Sequence, residues 1–272
     1  MKPLATSLVI LLLLPMLLHA QRPDTVFFED LTFDEIRDLI RGGARNVIVA
    51  TGGTEDNGPH MIIGKHNYVL KYTTDKIART LGNTLVAPII AYVPEGAWEP
   101  AAGHMLKPGS ISLPDDKGFT DLLEAAANSM KASGFKNVIF LGDSGGNQNG
   151  MKAVAEKLNA AWKGAGVRVL FIPDYYTKSH ADQEKYIASK LGIPQAEIGN
   201  HANIMDTSEV MFINANWIRL TKLEKGTPAN GVSGDPTRAT PQLGQIFLQI
   251  KIDNAVSQIK QLMAQGGNQE ER

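Results

Sequence analysis

Residues 137–150 read NVIFLGDSGGNQNG, a short apolar run followed by a glycine-rich turn. The apolar run is typical of a strand buried on both faces, and the turn leads into a helix predicted over Met151–Lys163. Three further runs have the same character, at Asn46–Thr51, Thr84–Pro88 and Arg168–Ile172. The repeated strand–turn–helix pattern indicates parallel strands joined by helical crossovers.

Helical segments separate these strands. The first begins at a capping box, Thr32 to Glu35, and ends near Gly42. The others are predicted at Tyr68–Leu81, Lys117–Ser133, Met151–Lys163 and, after a Gly- and Pro-rich loop over Lys225–Pro241, Gln242–Met263. Strands alternating with helices of this length predict an α/β fold, a three-layer α/β/α domain with a mostly parallel sheet.

The amino-acid composition limits which side chains could carry out a reaction and which partners the protein could bind. The chain has 272 residues and no cysteine, which excludes disulfides, Cys-ligated metals and thiol nucleophiles. Lys plus Arg (27) nearly equals Asp plus Glu (28), so no basic stripe indicates nucleic acid as a partner. Histidine, carboxylate and hydroxyl groups must therefore carry any reaction, and we expect a small-molecule substrate.

The first twenty residues are typical of a signal peptide. Lys2 provides the positive charge, the apolar run Leu8–Leu18 is too short to span a bilayer, and Ala20 ends a cleavage-site pattern. Cleavage there predicts a secreted or periplasmic protein with no stable membrane span, and an uncleaved anchor is the alternative. The mature chain then comprises one domain over residues 21–265 and a polar, frayed tail over residues 266–272.

Chemistry-bearing residues cluster after the predicted strands. In open α/β sheets, ligands bind beyond the carboxyl ends of the strands. Segments 52–66, 94–113, 142–150 and 200–208 are placed to form that edge, and they contain most of the mature chain's histidines: His60, His66, His104 and His201. We therefore expect these segments to come together and form a ligand-binding or catalytic site.

Ser144 allows a second hypothesis. It lies in a G-x-S-x-G string, the nucleophile elbow of α/β-hydrolases, between a strand and a helix. Asp174 or Asp182 and then His201 follow in the order that a catalytic triad needs, although no HGGG-type oxyanion loop precedes them. Trypsin-like proteases share the string GDSGG, but their all-β fold excludes that assignment.

Five segments in register resemble the creatininase family, the creatinine amidohydrolases and their relatives. They are GTEDNGPHMII (53–63) with His66, GHMLKPGSISL (103–113), GDSGGN (142–147), HANIMDTS (201–208) and GVSGDPTRAT (231–240). The resemblance implies a creatininase-like fold and a centre of two divalent ions, zinc or manganese, that share a bridging water. Such ions lower the pKa of the water and polarise an amide or lactam carbonyl. Relatives form rings, often hexamers, which implies a homo-oligomer.

The family's metal ligands carry over only in part. Glu55 and His201 are kept, and Asp206 stands where relatives have Glu. Asn57 and Ser144 replace His ligands, and His66 replaces the bridging Asp. The remaining donors, Glu55, His66, Asp143 and Asp206, suit one ion better than two.

The resulting hypothesis is an exported hydrolase of a C–N bond in a small cyclic or linear amide, with one or two Zn or Mn ions. Glu55, His66 and Asp206 hold the metal, and Asp143 or Ser144 completes the ligand set. His201 assists the leaving nitrogen, and the substrate pocket is lined by Asn57, His60, Trp98 and His104. Lys65, beside His66, either opposes a metal or replaces one with its own charge. The alternatives are hydrolysis by Ser144 and a metal-free protein that binds a small solute.

Overall fold

The computed structural model describes residues 22–113 and 116–270 and contains one parallel sheet. Its strands are β1 (Asn46–Thr51), β2 (Thr84–Val86), β3 (Asn137–Gly142) and β4 (Arg168–Phe171), in the order β2-β1-β3-β4. Neighbouring strands pair in parallel throughout. The predicted strands and the α/β class are confirmed. The predicted signal peptide, residues 1–20, lies outside the described residues.

The part of the chain that is described contains eight α-helices. They are α1 (Phe33–Arg41), α2 (Lys65–Leu81), α3 (Asp116–Ser133), α4 (Gln148–Ala161), α5 (Thr177–Leu191), α6 (Gln195–Ile198), α7 (Ile204–Asn214) and α8 (Pro241–Glu270). The predicted capping box is present, because Thr32 and Glu35 each accept a hydrogen bond from the other's backbone N–H. Helix α2 begins at Lys65, before the predicted Tyr68. Helix α8 continues to Glu270, whereas a frayed tail was predicted from residue 266; no proline interrupts it after its first residue.

The two faces of β1 define the layers. Val47 and Val49 pack in a cluster with side chains of α3 and α4, represented by Phe119 and Val154. Ile48 and Ala50 point the other way, into a cluster that contains side chains of α2 and α8. Alternate residues of a strand face opposite sides of a sheet, so both faces are covered by helices. This is the predicted three-layer arrangement.

The carboxyl ends of β1 and β3 are held close together. Thr51 pairs with Gly142 at the last position of the two strands. A Cβ atom on Gly142 would lie 2.4 Å from Oγ1 of Thr51 and 2.6 Å from Cε of Met151, so only glycine fits there. The segments after both strands, which carry Glu55 and Asp143, therefore start side by side.

Among the described residues, no helix is long and apolar enough to cross a membrane. The loop predicted over Lys225–Pro241 is confirmed, since its described residues contain one short 3-10 turn, Pro236–Arg238. It precedes α8, which packs on α5 and α7 through a buried cluster that includes Ile187, Ile204 and Phe247. The C-terminal helix is thus part of the same body as the sheet.

Candidate active site

A cavity of about 420 Å³ opens at the carboxyl ends of β1 and β3. Most of the residues predicted for the site line it, namely Glu55, His66, His104, Asp143, Ser144, His201 and Asp206. Lys65, Tyr176 and His180 complete much of the remaining wall. The structure therefore brings together four segments that are far apart in the sequence.

His66 lies at the centre of the buried charges. Its Nδ1 is 2.8 Å from Oδ2 of Asp143, and its Nε2 is 2.8 Å from Oε1 of Glu55. Burial opposes a charge on the ring, but the negative charge of Glu55 and the hydrogen bonds to Asp143 and Glu55 together outweigh it and raise the pKa of His66 to about 9. The ring is therefore an imidazolium at neutral pH, with both N–H groups donating to carboxylates. Neither ring nitrogen has a lone pair available in this state.

Lys65 brings a second cation to the same wall. Its Nζ lies 2.8 Å from Oδ2 of Asp206 and 3.3 Å from Oε1 of Glu55, and its side chain is 3% exposed. Burial disfavours the ammonium, but these carboxylates raise the pKa of Lys65 above its ordinary value. Burial disfavours a charged Asp206 as well, but the positive charge of Lys65 holds the pKa of Asp206 below its usual range. These contacts draw Lys65 and His66 into the first turn of α2, which explains its early start.

Lys251 and Glu209 form a further buried pair that sequence reasoning missed. Nζ of Lys251 lies 2.8 Å from Oδ1 of Asp143 and 2.7 Å from Oε2 of Glu209. Burial raises the pKa of Glu209 to about 7. Burial opposes the charge on Lys251, but the carboxylates of Asp143 and Glu209 outweigh it and raise the pKa of Lys251. Lys251 shares the buried face of α8 with Ile252 and Ala255. A lysine at a core position of an amphipathic helix was the signal in the sequence.

His201 is oriented by the backbone. Its Nε2 lies 2.8 Å from the carbonyl oxygen of Asp56, which can only accept, so Nε2 carries the proton. Burial, aided by Lys65, lowers the pKa of His201 to about 4, so the ring is neutral. Its Nδ1 lone pair then faces Oε1 of Glu55 at 3.6 Å. An unprotonated nitrogen opposite a carboxylate is a favourable position for a cation.

His104 completes a set of metal-compatible donors. Its Nε2 lies 3.2 Å from Oε2 of Glu55, and its ring centroid lies 4.6 Å from that of His201. One ligand atom from each of Glu55, His104 and His201 falls within 4.8 Å of the others. Among the described residues this is the one such group of three or more. Of the predicted metal ligands, it contains Glu55 alone.

Asp206 and His201 are positioned at the start of α7. Asn203 caps this helix, its side chain accepting from the N–H groups of Met205 and Asp206 at 2.9 and 3.1 Å. Ala202 has φ of 51°, in the left-handed region, and its N–H donates to Oδ2 of Asp206 at 2.7 Å. A non-glycine residue in this conformation is strained, and such strain often lies beside functional residues.

Glu95 is a second carboxyl that sequence reasoning missed. It is 5% exposed, and its Oε1 has no hydrogen-bond partner among the described atoms. Burial, together with the negative charge of Glu55, raises the pKa of Glu95 to about 9. It is therefore neutral at pH 7 and adds no negative charge to the site.

Two hydroxyl groups of the cavity have no hydrogen bond to the described residues, those of Ser144 and Tyr176. Burial raises the pKa of Tyr176 to about 12, so its hydroxyl keeps its proton. The ring packs on His180 with centroids 4.2 Å apart. These hydroxyls are free to contact a ligand.

The structure does not assemble a triad around Ser144. His201, the predicted base, directs its ring nitrogens at Asp56 and Glu55. Asp182, one of the two predicted acids, instead bonds Asn254 at 2.9 Å and Lys178. No histidine within the described residues donates to or accepts from the Ser144 hydroxyl.

Three predicted pocket residues lie outside the cavity lining. The Asn57 amide donates to the carbonyls of Glu55 and Ile62, closing a buried turn. His60 is fully buried, with Nε2 3.0 Å from Oγ1 of Thr207. Trp98 is 57% exposed and donates to the carbonyl of Ser112. Asn57 thus fixes the backbone of the turn after Glu55, and His60 joins this turn to the side chain of Thr207 in α7.

The fold and site define a class of protein. It is an open α/β protein with a polar, histidine- and carboxylate-lined cavity at the carboxyl edge of the sheet. A family profile described as Creatinine amidohydrolase matches residues 29–259. The chain therefore belongs to the creatininase family.

Solved structures agree with this assignment. A structure titled creatininase Mn superposes with a TM-score of 0.71 at 19% identity, covering 87% of this chain and 98% of that one. A mutant creatininase of Zn-Zn type gives 0.72 at 17%, covering 88% and 98%, and a mutant complexed with creatine gives 0.71 at 17%, covering 87% and 98%. At these identities the matches establish the fold. Comparison with curated protein sequences gives no significant match.

Proposed function

We propose that this chain hydrolyses the C–N bond of a small cyclic or linear amide, with one divalent ion, Zn or Mn, held by Glu55, His104 and His201. The family's description as creatinine amidohydrolase supports the reaction class. Related structures are titled with Mn and Zn, and one is titled with creatine, which supports the ions and a small-molecule substrate. The observation that carries the proposal is the convergence of these three donors in the cavity.

The donor set fits such an ion. Oε1 of Glu55 bonds His66 and contacts Lys65, which leaves Oε2 facing His104. The proton of His201 is committed to the Asp56 carbonyl, which leaves Nδ1 unprotonated. Carboxylate oxygen and neutral imidazole nitrogen are donors that both zinc and manganese accept. A bound divalent ion supplies a water of lowered pKa and a polarised carbonyl.

The chain's own groups bind and orient the amide. The Ser144 and Tyr176 hydroxyls donate hydrogen bonds to it, since neither has another partner among the described residues. The rings of Tyr176 and His180, packed with a tilt of 38°, form a wall against which a flat ring can pack. Lys65 holds a positive charge at the cavity wall, where it stabilises negative charge that develops on the carbonyl oxygen. His201, predicted from the sequence to assist the leaving nitrogen, is proposed here as a ligand.

The metal content of the chain from residue 21 onward tests this function, measured after growth with zinc and manganese and purification without chelator. We expect about one equivalent per chain in the wild type. The variant Glu55→Gln should retain little, while Glu124→Gln, at a carboxylate paired with Lys157 in a half-exposed ion pair, should retain all of it. The same preparations are then assayed on a panel of lactams and linear amides. A folded, metal-free wild type that cleaves none of them contradicts the proposal.

A second candidate function is metal-free binding of a small polar solute. It is favoured by one observation, that His66, Lys65 and Lys251 already engage the carboxylates of Asp143 and Asp206. This function predicts the metal-free outcome above, together with saturable binding of a lactam measured by calorimetry. Secretion, and assembly into a homo-oligomer such as a hexamer, remain proposals that rest on residues 1–20 and on the family resemblance.

A further inference from the structure

Two buried ammonium groups occupy the places where pairs of carboxylates converge. Lys65 lies between Glu55 and Asp206, and Lys251 lies between Asp143 and Glu209. The side chains of the two lysines are 3% and 2% exposed. Lysine is almost never buried this deeply unless it is paired. The arrangement of a cation between two carboxylates is also the one that carboxylate metal sites present to an ion.

Every carboxylate oxygen of Asp143 and Glu209 already accepts a hydrogen bond from a side chain of this protein. Asp143 accepts from Lys251 on Oδ1 and from His66 on Oδ2. Glu209 accepts from Gln183 on Oε1 and from Lys251 on Oε2. Ligand groups must be unprotonated to coordinate a metal, and a divalent cation is repelled by an ammonium or imidazolium at the same oxygen. A divalent ion at Asp143 would have to displace an ammonium or an imidazolium.

The charges of the cluster nearly cancel without metal. Its carboxylates are Glu55, Asp143, Asp206 and Glu209, and its cations are Lys65, Lys251 and His66. Buried carboxylates without a counter-charge are strongly unfavourable, so a cluster of this kind needs internal or bound cations. This chain supplies its own.

We propose that Lys65 and Lys251 are built-in cations that substitute for bound divalent ions at Asp143, Asp206 and Glu209, so that the chain holds at most one ion. The chain then folds with these carboxylates neutralised whether or not metal is present. The limit of one ion rests on the proposed function for its location at Glu55, His104 and His201. The inference that the lysines replace metal ions rests only on the contacts between the lysines and the carboxylates.

Metal stoichiometry and chelator sensitivity test the proposal without any substrate. Protein stripped with EDTA is titrated with Zn²⁺ or Mn²⁺, bound metal is counted by elemental analysis, and the thermal midpoint is recorded with and without the ion. For the wild type we expect no more than one equivalent and a folded apo protein. Two tightly held equivalents in the wild type would overturn the proposal.

The double variant Lys65→Met, Lys251→Met removes both ammonium groups and keeps the apolar stems. We expect it to bind one more ion than the wild type. Its thermal midpoint should rise by about 5–10 °C when free metal exceeds Kd about 100-fold, because the ion replaces the lost charge. The proposal that the lysines replace metal ions is contradicted if the double variant gains no ion. It is also contradicted if the variant remains unfolded both with and without metal.

Two controls separate charge from packing. Lys157→Met makes the same substitution in an ion pair in which Lys157 is 65% exposed, and should change neither stoichiometry nor chelator sensitivity. Lys251→Met, Glu209→Gln removes one charge of each sign, and we expect it to fold without metal and to gain no ion. If the wild type binds no metal while the double lysine variant gains an ion, the proposed function is contradicted. The inference that the lysines replace metal ions is then still supported.

Discussion

The Nδ1 atom of His201 lies 3.6 Å from Oε1 of Glu55, and neither atom has a proton to share with the other. The His201 proton is on Nε2, where it is donated to the Asp56 carbonyl, and the positive charges of His66 and Lys65 hold the pKa of Glu55 low against its burial. Two acceptors that face each other repel unless a cation lies near them. Oε1 of Glu55 already bonds His66 and contacts Lys65, whereas Nδ1 of His201 has no donor among the described residues.

Removal of the His201 side chain should therefore weaken metal binding more than it weakens the fold. For His201→Ala we expect at least a 100-fold rise in the Kd for Zn²⁺, since loss of even an outer partner of a ligand typically costs 10–100-fold. Competition with a chromogenic chelator measures the change. The control is His60→Gln, at a histidine that bonds Thr207 away from the cavity lining. Equal Kd values for His201→Ala and the wild type would exclude His201 as a ligand.

The raised pKa of His66 predicts how stability depends on pH. Its pKa is about 9 in the folded chain and about 6.5 in the unfolded chain, so folding takes up a proton between these values. The stabilisation is complete below about pH 6.5 and is lost as the pH rises through about 9, and it amounts to about 3 kcal/mol. Chemical denaturation at a series of pH values measures this.

The variant His66→Gln isolates that contribution. Glu95, whose pKa is also raised to about 9, lowers the free energy of unfolding with rising pH over the same range, so the wild-type curve alone is not diagnostic. The difference between wild type and His66→Gln should shrink by about 3 kcal/mol between pH 6.5 and 9. A difference that does not change with pH would mean that the ring is neutral in the folded state.

The fold was predictable because its signals are local and periodic. The strand Asn46–Thr51 contains the continuous apolar run Val47–Ala50, and its bounds in the structure match the prediction. The capping box at Thr32 marked the start of α1 correctly. The start of α2 was not predictable from local pattern, since Lys65 and His66 are held there by carboxylates distant in the sequence.

The sequence predicted which segments form the site, but not which side chains within it contact each other. Motif order and strand ends indicated that Glu55, Asp143, His201 and Asp206 meet, and they do. The partner of each side chain was not predictable, because pairing depends on tertiary placement. Lys251 lies 108 residues after Asp143 in the sequence, yet the two side chains are in direct contact.

Serine-directed chemistry should leave Ser144 unmodified. A nucleophilic serine needs an adjacent base, and the described residues place no histidine or carboxylate in hydrogen-bond contact with its hydroxyl. We expect no adduct after treatment with a fluorophosphonate, measured by intact mass. Ser144→Ala should likewise show no adduct, and trypsin serves as the positive control. An adduct that is present in the wild type and lost in Ser144→Ala would restore the serine-hydrolase hypothesis.

Ala202 offers a test of strain beside the site. Its φ of 51° costs about 1–2 kcal/mol for a residue with a Cβ, and glycine adopts this conformation freely. Ala202→Gly should therefore raise the free energy of unfolding by up to about 1 kcal/mol, after the entropy that glycine loses on folding. The matched control is Ala155→Gly in the interior of α4, where we expect a loss of about 1 kcal/mol. Urea denaturation of both variants gives the comparison, and destabilisation of equal size in the two would show that Ala202 is unstrained.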